Sequence, residues 1–141
     1  MIPIPLAHRL RDAGLQWLPA RGDRFVVLQP DMEQDVFVLS DMTVELHEHP
    51  TGRIIGFNGT TEWALDSVGQ DQALWLPGED QLRASLGARL RRLERAGAAG
   101  GPGGRWRVEL VDGSTFSAAD ADEAYALALL HELTPADQRP R

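Results

Sequence analysis

The spacing of apolar residues along the chain switches between a helical and a strand period, and the switches predict its elements. Leu6 and Leu10 stand four apart with Ala7 and Ala13 beside them, the stripe of an amphipathic helix over 5–12. Prolines 3 and 5 suit its first turn, where a missing N–H lacks a partner anyway, and Gly14 followed by Leu15 predicts a left-handed cap. The period then drops to two. Aromatic or β-branched runs at 16–18, 24–29 and 35–39 predict strands, with proline-containing polar turns between them. Residues 43–48 and 53–58 flank His49-Pro50-Thr51-Gly52, the plainest hairpin signal in the chain. Asn58-Gly59 suits a second turn, of the primed type. Residues 61–65 fit a further strand, the competing fit being a two-turn helix capped by Thr60 and ended by Gly69; 73–76 is a last short strand before Pro77-Gly78.

Beyond that point Leu82, Leu86, Leu90 and Leu93 repeat at helical spacing and predict one long helix. Glu79 and Asp80 sit in its first turn and Arg89, Arg91, Arg92 and Arg95 crowd its end, as the helix dipole prefers. The glycines of 97–104 predict a flexible link. A β-β-α pattern follows: a strand over 105–111, an Asp112-Gly113 turn, a strand over 114–116 and a helix over 118–133 started by a capping box of Ser117 with Asp120. Ala124, Leu127, Ala128, Leu129, Leu130 and Leu133 make this helix apolar on more than one side, which predicts packing between layers. The expected fold is α+β: an antiparallel β-sheet meander with flanking helices and a C-terminal β-β-α unit. The expected organisation is a core domain over 1–96, a glycine-rich linker over 97–104, a β-β-α unit over 105–133 packing on the core, and a flexible tail over 134–141.

Composition narrows the chemistry. The 141 residues carry 14 basic side chains, all arginine, against 21 acidic ones, for a net charge of −7, with no lysine and no cysteine. Schiff-base chemistry, thiol catalysis, disulfides, cysteine-ligated metals and the lysine-dependent phosphate loop are thereby excluded. No cofactor is indicated. An acidic chain is a poor match for the nucleic-acid backbone, so no nucleic-acid partner is expected. No apolar run approaches the ~18–20 residues of a membrane span, and the first seven residues lack a basic, then apolar, leader pattern. The expectation is a cytoplasmic protein without a membrane partner.

The densest set of chemically active side chains lies at 41–49. On a strand, Asp41, Thr43, Glu45, His47 and His49 share one face. Alternate residues are ~6.6–6.8 Å apart there, so Glu45, His47 and His49 could converge on one metal ion. The ordinary reading is the wet side of a half-buried strand. A cupin site would need a glutamate where Arg53 and Ile54 stand, and the Nudix helix needs several carboxylates where Leu90-Arg-Arg-Leu-Glu94-Arg offers one. Ser40, Ser67, His8 and Asp66 supply the residue types of a hydrolytic triad, without the nucleophile-elbow motif. Arg83, Arg89, Arg91, Arg92 and Arg95 form either an anion-binding patch or a solvated helix face, and the glycines of 100–104 precede a strand where a phosphate loop would open a helix. Trp17, Trp63, Trp75 and Trp106 suit sheet packing. Asn58, Thr60, Thr61, Glu62 and Trp63 crowd polar groups beside an aromatic on one loop, a candidate ligand-binding set.

Three stretches, Val38-Leu-Ser-Asp-Met-Thr-Val-Glu45, Phe57-Asn-Gly-Thr-Thr-Glu-Trp-Ala-Leu-Asp-Ser-Val68, and Leu74-Trp-Leu-Pro77 with Glu79-Asp-Gln-Leu82, resemble an uncharacterised actinobacterial family of small proteins often labelled pilus assembly protein CpaE. The resemblance covers most of the chain and carries no catalytic residue across. The leading expectation is a non-enzymatic binding or regulatory module for a protein or small-molecule ligand, with a homo-oligomer allowed. The alternative is a metal-assisted hydrolase using the Glu45, His47 and His49 face.

Overall fold

The computed structural model of the chain describes residues 1–39, 44–49, 52–57, 67–69, 72–97 and 104–139, with the backbone alone for 44–49, 52–57, 67–69 and 96. These residues form an α+β fold in which every strand pair is antiparallel. The strands part into three sheets of three, two of them where one core sheet of five or six strands was expected. The chain divides into two compact units, Gln16–Leu76 and Met1–Leu15 with Pro77–Arg141.

In the unit Gln16–Leu76, β1 (Arg24–Val27) pairs with β2 (Val36–Val38). A meander of β3 (Val44–His49), β4 (Gly52–Phe57) and β5 (Ser67–Gly69) follows, and β6 (Ala73–Leu76) returns to the other side of β1. The β3–β4 ladder runs from Val44 opposite Phe57 to His49 opposite Gly52, one residue nearer the turn than expected. The turn residues Pro50 and Thr51, the Asn58-Gly59 turn and the strand expected over 61–65 lie outside the described residues.

Aromatic packing holds the β2–β1–β6 sheet. Trp17, Phe25, Val27, Leu39 and Ala73 are buried together, with Met32, Phe37 and Trp75 packed against them. The Trp17 and Trp75 rings stack 6.3 Å apart, and Phe25 lies 5.7 Å from both Trp17 and Phe37. Trp17 is not on a strand, contrary to the reading of 16–18. Its indole N–H instead donates to Asp23 Oδ2 at 2.9 Å, and the Ala20 amide donates to the same oxygen at 2.9 Å. A buried carboxylate thus shapes this segment, and Pro19 within it has no N–H for a ladder.

In the other unit, α1 (Ile4–Asp12) buries Leu6, Ala7 and Leu10. It ends as its glycine predicts: Gly14 takes φ +107°, the Leu15 amide donates to Leu10 O and the Gly14 amide to Arg11 O, the two bonds of a Schellman cap. α2 (Glu79–Leu86) is opened by the Gly78 amide donating to Gln81 Oε1 at 2.9 Å and buries Leu82 and Leu86. There the long helix expected through Arg95 stops. Gly87 turns to φ +53° and ψ −129°, outside the region L-residues favour, a single 3₁₀ turn follows over Gly87–Arg89, and the chain enters β7 (Leu90–Ala96).

β7 pairs with β8 (Arg105–Leu110), which pairs with β9 (Thr115–Ala118). Ala96 stands opposite Arg105, so the glycine-rich 97–104 joins two strands of one sheet, and residues 98–103 of it lie outside the described residues. α3 (Ala121–Leu133) closes the β-β-α pattern. Its expected capping box does not form: Ser117 is paired in β9, and Asp120 precedes the helix without a side-chain cap bond. α3 packs on β8 and β9 and against α1 and α2, which accounts for its lack of a polar side and buries Ala124, Tyr125, Ala126, Ala128 and Leu129. Each leucine or valine withdrawn from water in this core, such as Leu10, Leu82, Leu110 and Val108, contributes about 1.5–3 kcal/mol. After α3 a 3₁₀ turn forms over Ala136–Gln138, and Arg139 Nε donates to Thr134 O at 2.9 Å, where a loose tail was expected. Among the described residues no helix is long and apolar enough to cross a membrane.

Candidate functional site

The last turn of α3 and the β8–β9 turn bring three potential ligands together. His131 and Glu132 come from α3 and Asp112 from the turn, and one donor atom of each lies within 4.8 Å of the others. The turn is tightly set. Gly113 takes φ +91°, its amide donates to Leu110 O at 3.0 Å, the Leu110 amide donates to Ser114 O at 2.9 Å, and the Ser114 amide donates to Asp112 Oδ1 at 2.8 Å. Asp112 Oδ2 is left 3.9 Å from His131 Nε2, too far for a hydrogen bond. The imidazole rests on the Phe116 ring at 5.1 Å, and its Nε2 is buried without a hydrogen-bond partner.

Charges around the cluster are ordered. The Ser114 backbone amide, then the Ser114 hydroxyl, hold the Asp112 carboxyl below its ordinary 3.8, with His131 and Arg139 adding smaller attraction. Glu132 lies 3.5 Å from the Arg89 guanidinium, its side chain 15% exposed. Arg89 spends its other donors on α2, Nε on Leu86 O at 3.2 Å and Nη2 on Ser85 O at 2.8 Å, so it caps that helix. Ser114 meets the Asp112 carboxylate through its backbone amide, and the imidazole Nε2 has no hydrogen-bond partner, so Ser114, Asp112 and His131 do not make the relay of a nucleophilic triad. What the group offers is a nitrogen and two anionic oxygens at the C-terminal end of a helix, where the dipole favours a cation.

A second feature is the face of the β7–β8–β9 sheet turned away from α3. The alternation of β8 buries Val108 and Leu110 and leaves Arg105, Arg107 and Glu109 opposite them. Arg92 stands across from Glu109 and Glu94 across from Arg107. A bulge between Leu90 and Arg92 adds Arg91, which reaches Glu109 at 3.5 Å beside Arg92 at 3.1 Å. Arg107 meets Glu94 at 2.9 Å, and Arg105 donates to Ser117 O at 3.2 Å. Four arginines share this face with two glutamates. The side chains of Arg91, Arg92 and Arg107 are 62%, 56% and 42% exposed.

The arginines expected on one helix are dispersed. Arg83 belongs to α2 and lowers the Tyr125 hydroxyl pKa against the rise that burial causes, Arg89 caps α2, Arg91 and Arg92 lie on the outer sheet face, and Arg95 sits 5.5 Å from the Trp106 ring. Glu45, His47 and His49 occupy alternate positions of β3, opposite Gly56, Ile54 and Gly52 of β4. Asn58, Thr60, Thr61, Glu62 and Trp63 lie outside the described residues, as do Ser40 and Asp66. His8 falls in α1 and Ser67 in β5. Asp112, His131 and Glu132 were missed because they come from two separate elements. The available signal was an Asp-Gly turn at one end of a strand pair and a histidine in the last turn of the helix that packs on it. No family model, no curated protein and no solved structure matches this chain.

Proposed function

We propose that the chain is a non-enzymatic, cytoplasmic binding module whose partner is a protein carrying an acidic segment, engaged on the outer face of the β7–β8–β9 sheet. One observation carries the reading: Arg91, Arg92, Arg105 and Arg107 gather beside only Glu94 and Glu109, so a chain of net charge −7 presents a face with two uncompensated positive charges. The Arg107–Glu94 pair is largely exposed and contributes about 0–1 kcal/mol, so a partner's carboxylate takes the place of Glu94 at little cost, while Glu109, only 18% exposed, stays with Arg92. The guanidinium fork then gives two-point recognition of each carboxylate.

The test is fluorescence anisotropy with a labelled glutamate-rich peptide. Binding is expected at low salt, weakening steadily as sodium chloride is added, and Arg92→Ala with Arg107→Ala is expected to reduce affinity about tenfold or more, roughly 0.7 kcal/mol per arginine. A peptide that does not bind, or one whose binding ignores both salt and the double substitution, would overturn the reading.

A further inference from the structure

We propose that Asp112, His131 and Glu132 form a binding site for one divalent transition-metal ion of the zinc class. The site lies apart from the arginine face, so the two readings stand or fall separately. Its donor set, one imidazole nitrogen and two carboxylate oxygens, is the mixed set that zinc and its neighbours accept, with water completing the shell. The side chain of Asp112 is 46% exposed, which gives the ion and its water a way in.

The arrangement is poised and incomplete without a cation. Asp112 has one oxygen committed to the Ser114 amide, which fixes the carboxylate and presents Oδ2 towards His131. At 3.9 Å the two atoms do not bond, and His131 Nε2 is enclosed with no hydrogen-bond partner, a cost that a metal ion would remove. Phe116 restrains the ring. Adjacent residues on a helix point about 100° apart, and the longer Glu132 side chain spans that angle to bring its oxygen within reach. The carbonyl end of α3 adds negative potential at the cluster. The opposing group is Arg89, 3.5 Å from Glu132 Oε2. Its bonds to Ser85 O and Leu86 O remain when Glu132 turns to the ion, so its displacement costs one loose ion pair.

Isothermal titration calorimetry of zinc chloride into the full chain tests this. One ion is expected to bind in the micromolar range or tighter. His131→Ala and Asp112→Asn are each expected to weaken binding by about tenfold or more, the asparagine variant retaining the acceptor for the Ser114 amide and so the turn. Arg89→Gln is expected to tighten binding several-fold by removing the competing cation, a change that scattered surface binding would not produce. Circular dichroism confirms that each variant is folded, and His47→Ala with His49→Ala serves as control and is expected to bind as the wild type does. Absence of binding, or binding that survives His131→Ala and Asp112→Asn, would overturn the assignment.

Discussion

Asp23 is 4% exposed and uses one oxygen to accept both the Trp17 indole N–H and the Ala20 amide. Replacing it with alanine strands the buried Trp17 indole N–H, while the Ala20 amide belongs to an exposed residue and turns to water, and a buried donor without a partner costs about 1–3 kcal/mol. Asp23→Ala is therefore expected to lower stability by roughly 2 kcal/mol or more, read as a drop in the urea midpoint with an unchanged slope. Asp23→Asn keeps an amide oxygen in the same place and is expected to lose about half as much. A loss below about 0.5 kcal/mol in the alanine variant would mean that the bonds do not anchor Trp17. This residue also marks a limit of sequence reading. Trp17 is legible as a packing residue from its type, whereas its partner is an aspartate in a polar turn, where acidic residues are ordinary and burial leaves no local pattern.

Helix α2 shows how an element is misread and what corrects it. Leu82 and Leu86 lie on a helix, but Leu90 and Leu93 are on a strand, three apart, which ordinary alternation would put on opposite faces. The bulge inserts the extra residue that brings them to one face, opposite Leu110 and Val108, and so copies a helical spacing. Only Gly87, at φ +53°, betrays the break, and a Cβ there meets no atom within 4 Å. Gly87→Ala is thus expected to cost about 1–3 kcal/mol from backbone strain alone, while alanine in a continuous helix would stabilise; thermal unfolding distinguishes the two by sign. Elements with intact local signals were legible: the Schellman cap of α1, the β3–β4 hairpin, the β8–β9 turn and the doubly apolar α3. The cluster of Asp112, His131 and Glu132 was not, because its members meet only when α3 folds back on the hairpin. That α2–α3 contact has its own pH signature. Burial raises the Tyr125 hydroxyl pKa above 10.0, Glu79 adds to the rise and Arg83 opposes it. A group whose pKa is raised on folding contributes stability that is complete below its unfolded value and lost as pH climbs through the folded one. Urea stability of the wild type is expected to fall from about pH 10 upward, and Tyr125→Phe to flatten that decline; identical alkaline limbs would count against it.

Across the whole molecule the net charge is distributed unevenly between the two units. Gln16–Leu76 has three arginines against ten carboxylates and carries the full −7, whereas Met1–Leu15 with Pro77–Arg141 has eleven of each and is neutral. Like charges confined to a short stretch repel at low ionic strength and are screened as the Debye length shrinks from about 10 Å at 0.1 M to about 3 Å at 1 M. Repulsion raises the free energy of the folded first unit and leaves the second almost untouched. Hydrogen exchange reads the two separately in one sample, which cancels any effect of salt on the chemistry of exchange itself. From low salt to about 1 M sodium chloride, the amides of β1 and β6 are expected to slow several-fold relative to those of α3 and β8. Equal changes in both sets would mean that arginines and carboxylates are balanced within each unit by contacts rather than by count, and would remove the charge argument for an acidic unit joined to one with an arginine-rich face.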